Sequence, residues 1–415
     1  MARFLYNLIL VLGAVLALPL VLALWLVSEK RRKSLPSRLG FQDLSALDRL
    51  DERPVWVHAL SVGEMNAAAP LVRALAARPG PPVVVSASTR TGMRRARELF
   101  PGTVAAVFYF PLDLPLVASR MVRRVAPARF VLVETDLWPN FLAALSRQGV
   151  PAVLVNGRLS DKSFAGYCRA RFLMGPLFAG FAGVGAATQA EAQRFTALGA
   201  GPVRVTGNLK FDAARPPESG PPPGLEGRPL VVAGSTHAGE EEVLARILPD
   251  LKRRFSAALV VAPRDPVRAR KVVRVFTDQG LLAEVLSRAG ETPGLDVVVV
   301  DRMGVLAGLY GTGRACFVGG SLVAEGGHNP LEPAAAGRPV VFGPHMEDFR
   351  EIANTLEDRG AALRVRDGEA LAEALAGFLA HPEKADAMGE NGLGFVEENR
   401  GAVSRTLALL DEVAK

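Results

Sequence analysis

Short valine-rich runs that end in polar residues and then pass into helical patterns constrain this chain more than any other feature. Val55-Trp56-Val57-His58-Ala59-Leu60 leads into Ser61-Val62-Gly63-Glu64, after which Met65 to Leu75 carries a helical apolar period. Val83-Val84-Val85 ends in Ser86-Ala87-Ser88-Thr89, Phe130 to Val133 in Glu134-Thr135-Asp136, and Ala152 to Val155 in Asn156-Gly157-Arg158. Continuous apolar runs of this length read as strands covered on both faces, the condition inside a parallel sheet. Strands alternating with helices define a doubly wound α/β layer, whose ligands sit beyond the carboxyl ends of the strands. Glu64 occupies such a position, and Glu134 another. A plainer reading of Glu64 is open too, a first-turn carboxylate that stabilises its helix dipole. Lys210, just past Val203-Arg204-Val205, is either a solvated lysine or a group on the same rim.

The series is interrupted once. Ala213 to Pro229 holds Arg215-Pro216-Pro217 and Pro221-Pro222-Pro223-Gly224, a proline density that excludes a helix or a central strand. A second α/β series follows, with Leu230 to Ala233 before Gly234-Ser235-Thr236, Ala257 to Ala262 before Pro263-Arg264-Asp265, and Leu295 to Val300 before Asp301. The expected division is a Rossmann-like domain over 34–212, a linker over 213–229, a second Rossmann-like domain over 230–390, and a C-terminal helix, 391–415, packing back on the first domain. Two such halves facing a cleft are the GT-B arrangement of glycosyltransferases. The dinucleotide fingerprint G-x-G-x-x-G is absent at each strand–helix turn, as is a P-loop lysine, which argues against a dehydrogenase.

The second series closes on Ala315 to Val318, which breaks into Gly319-Gly320 and then passes through Gly326-Gly327-His328-Asn329-Pro330-Leu331-Glu332. Asparagine caps helices well and proline fits the first helical position, so a helix is expected to start there. A glycine-rich loop feeding a helix N-terminus offers backbone N–H groups to a phosphate. Glu332, on the first turn, would reach a sugar hydroxyl. An ordinary strand–helix turn with flexible glycines is the alternative.

The formal charge of +7 suggests nucleic acid, but six basic residues against Glu29 concentrate +5 of it in residues 1–40, leaving +2 for the other 375. No nucleic-acid groove is indicated. Cys168 and Cys316 have no ligand spacing and imply no disulfide framework. Phe4 to Val27 is a run of 24 residues without a charge, followed by Lys30-Arg31-Arg32-Lys33. At 1.5 Å per residue a helix of that length covers a hydrocarbon core of about 30 Å. The basic cluster on its far side disfavours a cleaved signal peptide and keeps the body cytoplasmic. The expectation is a single-pass anchor with basic collar over 1–33.

Five motifs in order, Trp56 to Glu64, Glu134 to Asn140, Asn156 to Ser160, Thr206 to Asp212 and Gly326 to Pro333, together with Arg38-Leu39-Gly40, resemble the 3-deoxy-D-manno-octulosonic acid (Kdo) transferases of lipopolysaccharide synthesis. The resemblance runs from the anchor to about Glu351. It implies an inverting GT-B enzyme on the inner membrane that moves Kdo from CMP-Kdo to a lipid A precursor without a metal or other cofactor. By position, Glu64 matches the family's general base, Glu134 a second acidic residue and Lys210 a cleft lysine. Ser235, Thr236, Arg264, Met303, Gly304, Gly326, Gly327, Asn329 and Glu332 match the side that holds the nucleotide sugar. Four positions depart from the family pattern: Arg302 and Val305 replace a hydroxyl and a carboxylate, Asp265 replaces a histidine, and Asp136 stands where glutamate is common, a mild change. A paralogue using another CMP-activated sugar or acceptor is the runner-up, followed by a non-catalytic relative that binds lipid or a partner.

Overall fold

The computed structural model describes residues 6–8, 10, 12, 13, 16, 35–214 and 219–413. The expected anchor over residues 4–27 falls mostly outside these, and the collar Lys30 to Lys33 wholly so. Among the described residues no helix is long and apolar enough to cross a membrane. The chain forms two compact units, Met1–Ala213 with Arg400–Lys415, and Ala214–Asn399.

In the first unit seven parallel strands are ordered β3-β2-β1-β4-β5-β6-β7. They are β1 (Val55–His58), β2 (Val83–Ala87), β3 (Ala106–Tyr109), β4 (Arg129–Val133), β5 (Ala152–Gly157), β6 (Gly183–Ala186) and β7 (Val203–Val205). Between them run α1 (Val62–Ala76), α2 (Arg90–Leu99), α3 (Pro115–Val125), α4 (Pro139–Arg147), α5 (Asp161–Arg169), α6 (Arg171–Ala179) and α7 (Gln189–Ala197), with α8 (Leu209–Ala213) after β7. Alternate strand residues supply the two cores. Trp56, Val84, Phe130, Leu132 and Leu154 lie on one face with Phe108, Phe110 and Phe141. Val55, Val57, Val85, Val131, Val133 and Val155 lie on the other. β3 and β6 were not expected from sequence. Gly183-Val184-Gly185-Ala186 has almost no side chains to signal a strand, and needs none, because Leu409 and Val413 press on Gly183.

The second unit has seven parallel strands in the order β10-β11-β9-β8-β12-β13-β14. These are β8 (Leu230–Thr236), β9 (Ala258–Pro263), β10 (Ala283–Val285), β11 (Val297–Val299), β12 (Ala315–Val318), β13 (Val340–Phe342) and β14 (Ala362–Arg364). Helices α9 (Glu240–Phe255), α10 (Ala269–Thr277), α11 (Leu306–Tyr310), α12 (Leu331–Ala335), α13 (Arg350–Asp358), α14 (Gly368–Ala380) and α15 (Pro382–Asn399) connect or cover them. Described residues 219–229 hold neither helix nor strand, and β8 opens at Leu230.

The chain rejoins the first unit at Arg400 and not near residue 391. α15 runs unbroken to Asn399, with Phe395 and Val396 buried and Gly389 pressed on the Gly337 carbonyl. Gly401, at φ 91°, then turns the chain into α16 (Ala402–Val413), whose Leu409 and Leu410 are buried in the first unit. Asp212 fixes that return by accepting the N–H groups of Gly401 (2.8 Å) and Val403 (2.6 Å).

Candidate active site

In each unit the strand order reverses once, between β1 and β4 in the first and between β8 and β12 in the second. Such switch points open a crevice at the carboxyl ends of the strands. Glu64 follows β1 and Glu134 follows β4 at the first switch; at the second, Ser235 and Thr236 end β8 and the segment from Gly326 to Glu332 follows β12, while Arg264 follows β9 and Met303 and Gly304 follow β11.

Glu64 sits in the first turn of α1, which Ser61 caps. Its Oε2 accepts the Leu60 N–H at 2.6 Å and its Oε1 the Ser61 hydroxyl at 3.3 Å. Burial and then the Glu134 charge raise its pKa from 4.5 to about 7, against the opposing pull of the Leu60 N–H. The carboxylate in the first turn of α1 is thus held half-protonated near neutrality.

Glu134 follows β4 with a left-handed φ of 60°. Such a backbone is rare for a residue with a side chain, and it is held by the Glu134 N–H to the Val155 carbonyl at 3.0 Å. Asn156 Nδ2 donates to Glu134 Oε1 at 3.4 Å, and Lys210 Nζ lies 4.0 Å from the same oxygen. Asn156 Oδ1 accepts the Leu209 N–H at 2.9 Å, tying the short helix that carries Lys210 to β5. Glu64, Glu134 and Lys210 therefore form one cluster of two carboxyls and a cation.

Beneath it lies a layer that the sequence analysis did not assign. His58 is fully buried and stacked on Phe110, with ring centroids 3.8 Å apart. Its Nδ1 meets the Ser86 hydroxyl at 3.0 Å, and the Trp56 indole N–H donates to that hydroxyl at 2.7 Å. Its Nε2 faces Asp136 at 3.9 Å, and Asp136 accepts the Trp138 indole N–H at 2.8 Å. Burial lowers the His58 pKa, so the ring is neutral. Arg38 approaches Asp136 with its Nε buried and without a hydrogen-bond partner. The signal in the sequence was polar residues inside apolar runs, His58 and Ser86 among valines.

In the second unit the glycine-rich loop differs from expectation. Fully buried Glu240, at the start of α9, accepts the N–H groups of Gly320 (2.8 Å), Ser321 (3.0 Å), Leu322 (3.0 Å) and His237 (2.9 Å). Those amides already hold an internal anion, so they are not a free phosphate cradle. Asn329 caps as expected, its Oδ1 accepting the Leu331 N–H at 3.1 Å, and its amide reaches Glu332 at 3.4 Å. Gly326 and Gly327 have φ of 82° and 74°, and a Cβ on Gly327 would lie 2.4 Å from Met346 Sδ.

Ser235 also has a left-handed φ, 57°, which turns the end of β8. Thr236 points inward instead of toward a ligand: it is fully buried and donates to Glu241 Oε1 at 3.0 Å. Arg268 forks onto the same buried carboxylate at 3.0 and 3.1 Å. Arg264 is exposed, with its N–H bonded to the Thr236 carbonyl at 3.0 Å. Met303 and Gly304 are exposed in the turn after β11. Asp265, which departs from the family pattern, caps the following turn through the Val267 N–H at 3.1 Å.

A histidine pair was also missed. The Nε2 atoms of His237 and His328 are 2.9 Å apart with the rings stacked, so one donates and the other accepts. Burial, Arg264 and His237 lower the pKa of His328 to about 4, which keeps it neutral. The pair lies at the β8–β12 switch, where His237 follows β8 and His328 precedes α12. No group of three or more His, Cys, Asp or Glu is placed to hold a metal among the described residues.

Residues 33–213 match the family model described as 3-deoxy-D-manno-octulosonic-acid transferase (kdotransferase). The chain is 33% identical over 409 residues to the 3-deoxy-D-manno-octulosonic acid transferase of Bordetella pertussis, covering 94% of this chain and 95% of that one. It is 32% identical over 424 residues to the enzyme of the same name from Haemophilus influenzae, covering 99% and 98%. Among solved structures, the UDP-GlcNAc 2-epimerase of Neisseria meningitidis superposes with a TM-score of 0.58 at 14% identity, over 86% of this chain and 100% of that one. That likeness is one of fold, the GT-B-like pairing of two parallel-sheet Rossmann-like domains. With a third of its residues identical to those of transferases of one activity over almost its whole length, the chain belongs to the 3-deoxy-D-manno-octulosonic acid (Kdo) transferases and is a glycosyltransferase.

Proposed function

We propose that this enzyme transfers Kdo from CMP-Kdo to a lipid A precursor with inversion. It works at the cytoplasmic face of the inner membrane, to which the apolar N-terminal stretch attaches it. One observation carries the reading: Glu64 stands at the β1–β4 switch with a pKa of about 7, beside Glu134. The ionised Glu64 takes the proton of an acceptor sugar hydroxyl as its oxygen bonds to the anomeric carbon, and the bond to CMP breaks with its electron pair going to the phosphate. Glu134 and Lys210 orient the acceptor. On the second unit Ser235, Arg264, Met303, Gly304, Gly326, Gly327, Asn329 and Glu332 hold the donor, while Thr236 acts indirectly, by fixing Glu241. Because Glu240 fills the loop amides, the leaving phosphate is met mainly by Arg264, with the histidine pair beside it.

The test is incubation with CMP-Kdo and a tetraacylated lipid A precursor, with products counted by mass. Wild type should transfer Kdo, and Glu64→Gln should lose about 10²- to 10⁴-fold in rate. No transfer by wild type, or an unchanged rate in the variant, overturns the assignment. Arg302 and Val305 favour a second reading, another CMP-activated sugar, which a donor panel in the same assay would reveal.

A further inference from the structure

The run from Asp161 to Ala179 mixes apolar residues with cations, and the transfer reaction assigns no role to it. It forms α5 and α6. Arg171 is the single charged residue of α6, which otherwise reads Phe172-Leu173-Met174-Gly175-Pro176-Leu177-Phe178-Ala179. A helix this apolar is ordinarily buried. Yet Phe178 is its one buried residue, and α5 has none. Phe172 is 65% exposed. Much of the apolar surface of α6 is thus uncovered.

Between α6 and α4 lies an open groove of about 450 Å³, within the range of small-ligand sites. Leu142 and Leu145 of α4 line it from one side, and Leu173, Pro176 and Leu177 of α6 from the other. No charged residue lines it. It begins at Pro139, the first residue of α4, and reaches Ala152, where β5 starts. The groove therefore follows the nine residues of α4, about 13 Å. Pro139 comes directly after Glu134-Thr135-Asp136-Leu137-Trp138, so the groove opens at the strand end that carries Glu134. The Thr135 hydroxyl donates to the Arg158 carbonyl at 2.7 Å, joining that acidic segment to the loop before α5. Tyr167 of α5 is near Asp136, whose charge adds to burial in raising the pKa of its hydroxyl.

Charge points to the kind of occupant. Arg147 ends α4, Arg169 and Arg171 stand at the α5–α6 turn, and all three are exposed. Residues 35–213 hold 21 lysines and arginines against 12 acidic residues, whereas residues 214–415 hold 23 against 29. The unit that contains the groove is the one suited to an anionic partner. An apolar groove rimmed by cations, opening beside the Glu64–Glu134 cluster, matches an anionic molecule with a hydrocarbon chain.

We propose that the groove between α4 and α6 binds one acyl chain of the lipid acceptor, whose sugar end then lies at Glu64 and Glu134. This deepens the acceptor assignment of the proposed function and rests on it. A chain held along α4 fixes how far the sugar hydroxyl reaches toward Glu64, so the groove sets register as well as affinity. A chain drawn from a bilayer exchanges one apolar surrounding for another and gains little. A chain drawn from water gains about fourfold per buried methylene. Acceptors dissolved as monomers therefore give the clearer readout.

The test uses the full chain, CMP-Kdo and two monomeric acceptors: a short-chain acylated precursor and its fully deacylated counterpart. Wild-type kcat/KM should be at least about tenfold higher for the acylated one. Leu177→Trp fills the groove from a half-buried position and should remove most of that advantage, leaving the KM for CMP-Kdo within about twofold. Separately, a precursor with a diazirine at the tip of one acyl chain, photolysed on the wild-type protein, should label α4 and α6. Excess unmodified precursor should suppress that labelling. The labelling needs no variant, so it decides the matter should Leu177→Trp misfold. Labelling elsewhere, or an acyl preference that a folded Leu177→Trp retains, overturns the proposal. Transfer to neither acceptor would instead overturn the acceptor assignment itself.

Discussion

Glu134→Gln separates charge from burial at Glu64. The carboxyl of Glu64 is pushed from 4.5 to about 7, with burial the larger cause and the Glu134 charge next. Glutamine keeps the size of Glu134 and removes its charge. Removing the second-largest cause should lower the Glu64 pKa by on the order of one pH unit. A general base works in its ionised form, so kcat/KM of wild type should climb as pH rises through about 7. In Glu134→Gln the same limb should lie about one unit lower, whatever the height of the plateau. The assay is initial rates of Kdo transfer from about pH 5 to about pH 9, where kcat/KM reports the free enzyme. A flat profile, or a limb that does not move, refutes the assignment of Glu64 as the titrating base. Stability gives the companion measurement. The folded pKa lies above the unfolded one, so the contribution is present below the unfolded value and is lost as pH rises through about 7. Partial exposure of Glu64 reduces that loss to roughly 1–2 kcal/mol. Glu64→Gln should therefore match wild type near the acid end and exceed it by that amount at alkaline pH.

Two further outcomes follow from buried carboxylates in the second unit. Arg268→Ala leaves fully buried Glu241 without its forked partner, and should cost about 3–5 kcal/mol in chemical denaturation. Glu240→Ala removes the acceptor of four loop N–H groups, and should raise the KM for donor by an order of magnitude or more while leaving acceptor KM within about twofold.

Much of this was legible because parallel strands announce themselves. Val83 to Val85 and Phe130 to Val133 have no polar residue to spare, and their polar successors mark the strand ends where Glu64 and Glu134 lie. One strand that escaped notice, Gly183–Ala186, is one where helix side chains from distant sequence fill the space that a strand's own side chains usually fill. Thr236 was misjudged for a related reason. Its position at a strand end is that of a ligand contact, but the partner that turns it inward, Glu241, is held in turn by Arg268, well downstream. Likewise nothing local in the sequence ties Asp212 to the N-terminus of α16.

The glycine-rich loop sharpens the same point into a statement about mechanism. Glycines followed by a helix start satisfy every local requirement for a phosphate cradle, and the backbone does fold into one. Yet a cradle selects for negative charge, and a carboxylate in the same chain supplies it at no cost in translational freedom. Glu240 fills the site from within and is wholly shielded from water. The loop is then a rigid support that positions His328, Asn329 and Glu332. Under the proposed function, charge recognition of a departing nucleotide would fall to side chains that remain exposed, Arg264 first among them. On that account Arg264→Lys, which keeps the charge and loses the planar fork, should weaken donor binding more than charge alone would predict. Equal donor KM in Arg264→Lys and wild type, read in the transfer assay, would return the phosphate to the loop.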